Sequence, residues 1–242
     1  IDVFCLSPDP NSAAFHSRYC KKHFISPAHK QKEEYIKFIL KILGESEYDL
    51  LITCEDATSG YISEMQKDVT QYTKVVLPAP ETIQTVLNKD KMMQFAQDKG
   101  FSIPKTIYLN GEDDIFNLDG EISYPVAIKG TRGAGGRLVR YASSKKELLE
   151  AFAEIMQLQK NPNLPIIQEY INGETYNFYA LCDRGKTWVF FICKTLRSYP
   201  ATGGTPSKAV SVYDETLRNL AFRVLEELNW HGIVNMDFIQ DR

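Results

Sequence analysis

No two of the five cysteines, Cys5, Cys20, Cys54, Cys182 and Cys193, stand at the short paired spacings of a metal knuckle or redox motif, and the four histidines add no ligand pattern to them. A disulfide-stapled scaffold and a zinc-held fold are excluded, and reduced, packed thiols are expected. Long apolar runs are missing too. None approaches the roughly 18 residues of a membrane span, and no signal peptide opens the chain, so the expected location is the cytoplasm. Charge of one sign is lacking: 28 Lys and Arg stand against 31 Asp and Glu, interspersed, for a formal net charge of -3. Such a balance gives no broad basic field for tracking a nucleic-acid backbone or an anionic membrane. Any anion site must therefore be local. There is no internal repeat and no low-complexity segment. What is present, 242 residues of which 43% are hydrophobic, is enough for one large domain or two small ones.

The first third alternates strand and helix patterns. "IDVFCL" reads as a strand; "QKEEYIKFILKILG" follows as a helix with Tyr35, Ile39 and Ile42 on its apolar face and Gly44 at its end; "YDLLITC" and "TKVVLPAP" read as further strands. This rhythm predicts a parallel, Rossmann-like sheet over residues 1–87. From residue 88 the texture changes to α+β. "NKDKMMQFAQDKG" is a helix ending on Gly100. Ser144 and Glu147 form a capping box opening "KKELLEAFAEIMQLQ". "PIIQEYI" and "TYNFYALCD" are strands flanking Asn172-Gly173, a plausible turn. An amphipathic helix capped by Asp214 carries Leu217, Leu220, Ala221, Val224, Leu225 and Leu228, and "GIVNMDFIQ" is the last strand. The opening "IDVFCLSPDP" lacks an initiator methionine and starts inside a strand pattern, and "IVNMDFIQDR" stops as abruptly, so sequence is expected to be missing at both ends.

The densest chemistry lies in "PVAIKGTRGAGGRLVR", residues 125–140. Gly130, Gly133, Gly135 and Gly136 let a loop turn sharply and bring backbone N–H groups close to a ligand, and Lys129, Arg132 and Arg137 add positive charge. The combination suits a polyanion such as a nucleoside triphosphate, although a glycine-rich hairpin with solvated cations would be written in similar letters. A Walker loop is excluded, because no Lys-Ser or Lys-Thr pair stands in place. A dinucleotide fingerprint needs a helix after its glycines, whereas "RLVRYA" reads as a strand. Val126 to Lys129 spells the V-A-I-K of protein kinases, but there the glycine loop precedes the lysine, and here it follows.

Strand, lysine, glycine-rich flap, strand, and a later strand running into "QEYINGE" together resemble the ATP-grasp superfamily, in particular its carbamoyl-phosphate-synthase-like and amino-acid-ligase-like members. The resemblance covers essentially the whole chain in the expected order. It implies an α/β Rossmann-like pre-ATP-grasp domain at 1–87, then an α+β ATP-grasp domain of two subdomains, 88–166 with the flap and 167–242, the second incomplete.

The resemblance also implies roles. Lys89, with Lys91 as alternative, matches the first phosphate lysine, and Lys129 the second, with Gly133, Gly135 and Gly136 in the flap. Gln168 and Glu169 are adenine candidates, Tyr170 and Ile171 supply backbone to the base, and Glu174 is the ribose candidate, one residue closer to Gln168 than in some relatives. "CKTLRSYPATGGTPSKAV" is similar to a loop that approaches the transferred phosphate or the acceptor carboxylate. Lys194 and Arg197 are its candidates, with Gly203 and Gly204 giving mobility. Asp237 matches the first magnesium carboxylate; the E-x-N strand that completes the metal site in the family has no counterpart before Arg242. The implied cofactors are ATP and Mg²⁺. The implied reaction joins a small-molecule carboxylate, activated as an acyl phosphate, to an amine or other nucleophile, without a covalent protein nucleophile. A non-catalytic nucleotide-binding module and a phosphotransferase with another acceptor are the alternatives. No nucleic acid or membrane partner is expected, and the oligomeric state stays open, a homodimer included.

Overall fold

The computed structural model describes residues 1–118, 120–133, 136–159, 162–199 and 205–241. The chain divides into two compact units, Ile1–Val76 and Leu77–Arg242. No helix among the described residues is long and apolar enough to cross a membrane. All five cysteines are free; Cys182 is buried, whereas Cys54 is exposed, so packing protects only part of the thiol set.

The first unit runs β1 (Val3–Ser7), β2 (Cys20–Ile25), α1 (Lys32–Glu45), β3 (Leu50–Leu51), α2 (Asp56–Glu64), α3 (Gln66–Val69) and β4 (Lys74–Val75). α1 buries Tyr35, Ile39, Ile42 and Leu43, the stripe that the periodicity predicts. The strands form two separate parallel pairs, β1 with β2 and β3 with β4, in place of the single Rossmann-like sheet expected. β2 has no apolar alternation of the kind that announces a strand, and β3 and β4 are two residues each.

The second unit opens with α4 (Pro80–Val86) and α5 (Lys89–Asp98), followed by β5 (Thr106–Ile107), β6 (Val126–Lys129), β7 (Val139–Ala142), α6 (Lys145–Leu158) and β8 (Ile166–Glu169). The four strands make one antiparallel sheet in the order β5-β8-β6-β7. β6 alternates: Val126 and Ile128 enter a core with Leu148, Phe152 and Ile155 of α6, while Ala127 and Lys129 face the other way. Ile128 and Ile155 are fully buried, each contributing about 1.5–3 kcal/mol relative to exposure. Ser144 caps α6 by accepting from the Glu147 N–H at 3.3 Å, and the Glu147 carboxylate returns to the Ser143 N–H at 2.8 Å.

The chain then passes to a second antiparallel sheet through β9 (Gly173–Asp183), β10 (Lys186–Tyr199), β11 (Thr205–Val212), α7 (Glu215–Glu227) and β12 (Gly232–Asp241), in the order β11-β10-β9-β12. Tyr176, Phe178, Ala180 and Cys182 of β9 point into a core with Leu217, Ala221, Val224 and Leu225 of α7. Asp214 caps α7, accepting from the Leu217 N–H at 2.8 Å. Asn172-Gly173 is not a hairpin turn, because β8 and β9 belong to different sheets. Gly173 is required for another reason. It lies opposite Asp241 of β12, and a Cβ there would stand 2.2 Å from the Gln240 carbonyl oxygen.

Candidate functional site

The site is built on two faces, one from each sheet of the second unit. On the first sheet, register places Lys129 opposite Val139 and Ile166, and Ala127 opposite Tyr141 and Gln168. Opposed residues share a face, so this face carries Lys129, Val139, Tyr141, Ile166 and Gln168, with Thr106 opposite Gln168 on β5. It is the face turned away from α6.

Lys129 is largely buried, and burial lowers its pKa below the ordinary lysine value, with the nearby charge of Lys89 pushing the same way. Two cations held together in a desolvated place are complementary to a multivalent anion. Lys89 opens α5, where its backbone N–H donates to the Thr131 carbonyl at 2.8 Å and its ammonium to the Gly133 carbonyl at 2.6 Å. The helix lysine Lys89 and the strand lysine Lys129, 40 positions apart, are thus brought to one place by the flap residues that follow Lys129. Gly133 and Gly136 have φ of 111° and 72°, in the left-handed region that favours glycine. Gly135 lies outside the described residues.

Of the four residues expected at the base end, Gln168, Glu169 and Tyr170 line one cavity, reached from different faces of the sheet. Gln168 is 2% exposed on the Lys129 face, and its amide donates to Thr106 Oγ1 at 2.8 Å. Glu169 points to the opposite face, where its carboxylate accepts from the Lys105 N–H at 2.8 Å. Tyr170 donates its backbone N–H to the Pro125 carbonyl at 3.2 Å, and its ring meets Tyr141 edge-on, centroids 5.4 Å apart. Ile171, half-buried, follows in the connection to the second sheet. That cavity, of about 250 Å³, has Lys105, Ile107 and Glu121 as further walls, and Lys129 is not among them.

On the second sheet the face turned away from α7 carries a cross-strand row, Cys193 of β10, Asn177 of β9 and Asp237 of β12. Asn177 is 5% exposed; its amide donates to Asp237 Oδ1 in a close contact, and its oxygen accepts from Thr195 Oγ1 at 3.3 Å. Burial raises the Asp237 pKa, and the Asn177 hydrogen bond offsets this in part. The Asp237 carboxylate keeps solvent access, and a carboxylate oxygen of this kind suits a hard divalent cation that takes its remaining coordination from phosphate oxygens and water. Among the described residues no group of three His, Cys, Asp or Glu could hold a metal by itself.

Glu174 and Lys194 do not join this row. Lys194 lies opposite Tyr176, on the α7 side. Its ammonium pairs with Glu174 Oε2 at 2.6 Å, and the Tyr176 hydroxyl donates to the same oxygen at 3.1 Å. The hydrogen bond to Glu174 raises the Lys194 pKa above the ordinary lysine value. Arg197 donates from Nε to Ser207 Oγ at 3.1 Å across the β10-β11 hairpin, beyond an irregularity in the pairing. Lys194 and Arg197 therefore sit on a strand, where a loop was expected; Gly203 and Gly204 lie outside the described residues.

Sequence reasoning missed Asn177, Thr195, Asn88 and Tyr141. The available signal for Asn177 was alternation, since an asparagine between Tyr176 and Phe178 of a buried strand must face away from their core.

An ATP-grasp domain matches residues 86–242, and the chain belongs to this family. It is 22% identical over 173 residues to the carbamoyl phosphate synthase large chain of Methanothermobacter thermautotrophicus, covering 68% of this chain and 16% of that one. Among solved structures it resembles the biotin carboxylase of Campylobacter jejuni in complex with β,γ-ATP, with a TM-score of 0.75, 22% identity, and coverage of 99% of this chain and 56% of that one. It also resembles an L-amino acid ligase from Bacillus licheniformis, with a TM-score of 0.74, 15% identity, and coverage of 100% and 58%. These likenesses show the fold. The chain spans a little over half of each solved relative and a smaller part of the curated one.

Proposed function

We propose that this chain carries the nucleotide-binding core of an ATP- and Mg²⁺-dependent ligase that activates a substrate carboxylate. The observation that carries the reading is the pairing of Lys89 with buried Lys129 at the foot of the flap, in a chain of the ATP-grasp family. Lys129 and Lys89 hold the phosphates by charge-assisted hydrogen bonds. Gln168 and the backbone of Glu169 to Ile171 place the base. Asp237, oriented by Asn177, would hold Mg²⁺, which when bound supplies neutralisation of phosphate charge. The carboxylate oxygen of the substrate attacks the γ-phosphorus, the bond to the β,γ-bridging oxygen breaks, and ADP leaves. An amine then attacks the acyl carbon, losing a proton, and phosphate departs. Electrostatic positioning is the main contribution asked of the protein.

The names of the relatives, a carbamoyl phosphate synthase, a biotin carboxylase and an amino acid ligase, support carboxylate activation over transfer to an alcohol. Among the described residues no group of three His, Cys, Asp or Glu forms around Asp237, and this supports a second reading, a module that binds nucleotide without turnover. Incubation with ATP, Mg²⁺, hydroxylamine and a panel of amino acids and small carboxylic acids separates the two. A substrate-dependent hydroxamate with matching ADP release supports the ligase; tight ATP binding without either product supports the module.

A further inference from the structure

Arg132 stands in the flap three positions after Lys129, where its charge invites a phosphate role. Its guanidinium is instead turned to the junction of α4 and α5. Nε donates to Asn88 Oδ1 at 2.8 Å, and Nη2 donates to Gln84 Oε1 at 3.0 Å. Asn88 is 1% exposed and does not cap the helix that it precedes; its amide donates to the Gln84 carbonyl at 2.5 Å. The next residue is Lys89, whose N–H and ammonium both return to the flap, at Thr131 and Gly133. Hydrogen bonds from Arg132 to Asn88 and from Lys89 to the flap, with the peptide bond between Asn88 and Lys89, thus close a ring.

We propose that Arg132 is a positioning residue: by bridging Asn88 and Gln84 it sets the start of α5 against the flap, and so fixes where Lys89 stands relative to Lys129. The proposal rests on the reading that these two lysines bind phosphate. Two features argue for bridging over direct phosphate contact. The planar fork of arginine reaches two acceptors on different residues at once, which a lysine cannot match. Moving the guanidinium to a phosphate would also strip the buried Asn88 oxygen of its donor, and a buried polar atom without a partner is costly.

The test is calorimetric titration of the full chain with ATP and MgCl₂, alongside thermal melts to verify folding. Arg132→Met and Arg132→Lys should both weaken ATP binding, by roughly tenfold. In a Lys89→Met background, Arg132→Met should cost nothing further, because it acts through the lysine already removed. Should the Arg132 variants melt out, Gln84→Ala removes one of the two acceptors of Arg132 and should weaken binding by about threefold. Parent-like binding by Arg132→Lys would show that charge alone suffices and overturn the proposal. An undiminished Arg132→Met effect in the Lys89→Met chain would do the same. An intact parent chain that binds no ATP would remove the phosphate reading itself, and the positioning role with it.

Discussion

Glu174 and Asp237 stand on opposite faces of one antiparallel sheet. Glu174 is tied to Lys194 and Tyr176 on the α7 side, and Asp237 to Asn177 on the open side. The Glu174–Lys194 pair is a cross-strand link at the rim of the α7 core, and the Asp237 row lies on the face turned away from that core.

Exchange of these two acids should therefore have different consequences. Asp237→Asn should abolish the gain in ATP affinity on adding Mg²⁺ while leaving the melting temperature unchanged or slightly higher, since a partly desolvated charge is removed. Glu174→Gln should keep both the ATP affinity and its Mg²⁺ dependence. Calorimetry with and without Mg²⁺ checks both, and a loss of ATP binding in Glu174→Gln would support the ribose role implied by resemblance.

The buried ammonium of Lys129 gives two pH dependences of opposite sign. Its folded-state pKa lies below the 10.5 of an unfolded lysine. Below the folded value the group is charged in both states, and the fold bears the full desolvation cost. As pH rises through the folded value toward 10.5, the unfolded chain holds more protons, so stability should rise. ATP affinity should fall over the same window, because a neutral amine is a weaker phosphate partner. Urea unfolding and ATP titration across that range, each as the difference between the parent and Lys129→Met, measure the two slopes.

Gly173→Ala should destabilise the second unit by about 1–3 kcal/mol, because its Cβ would press on the β12 backbone and not on a movable side chain. Denaturant unfolding checks this. If Gly173 served only as a turn residue, alanine would be nearly neutral there.

The parts legible in the sequence were those set by local pattern. Ser144, Asp214 and Gly100 mark helix ends through chemistry within one turn, and the Val126 to Lys129 strand announces its buried face by its own residues. Sheet membership was not legible. Whether "IIQE" and "GETYNFYALCD" pair with each other or with other strands depends on partners far along the chain. The face of Glu174 depends on the same register: counting along β9, it shares the side of Tyr176 and Phe178, while Asn177 and its partner Asp237 take the other. Arg132 shows the same limit, since its acceptors are 44 and 48 positions away.

If Lys129 and Lys89 form a phosphate site for ATP, titration of the parent chain and of Lys129→Met with ATP in the presence of Mg²⁺ should show one ATP per chain. The account predicts an affinity ten- to a hundredfold weaker in Lys129→Met, the loss of a charge-assisted bond worth roughly 1.5–3 kcal/mol. It also predicts a variant at least as stable as the parent, since a desolvated charge is gone. Equal affinities in a folded Lys129→Met chain would contradict it.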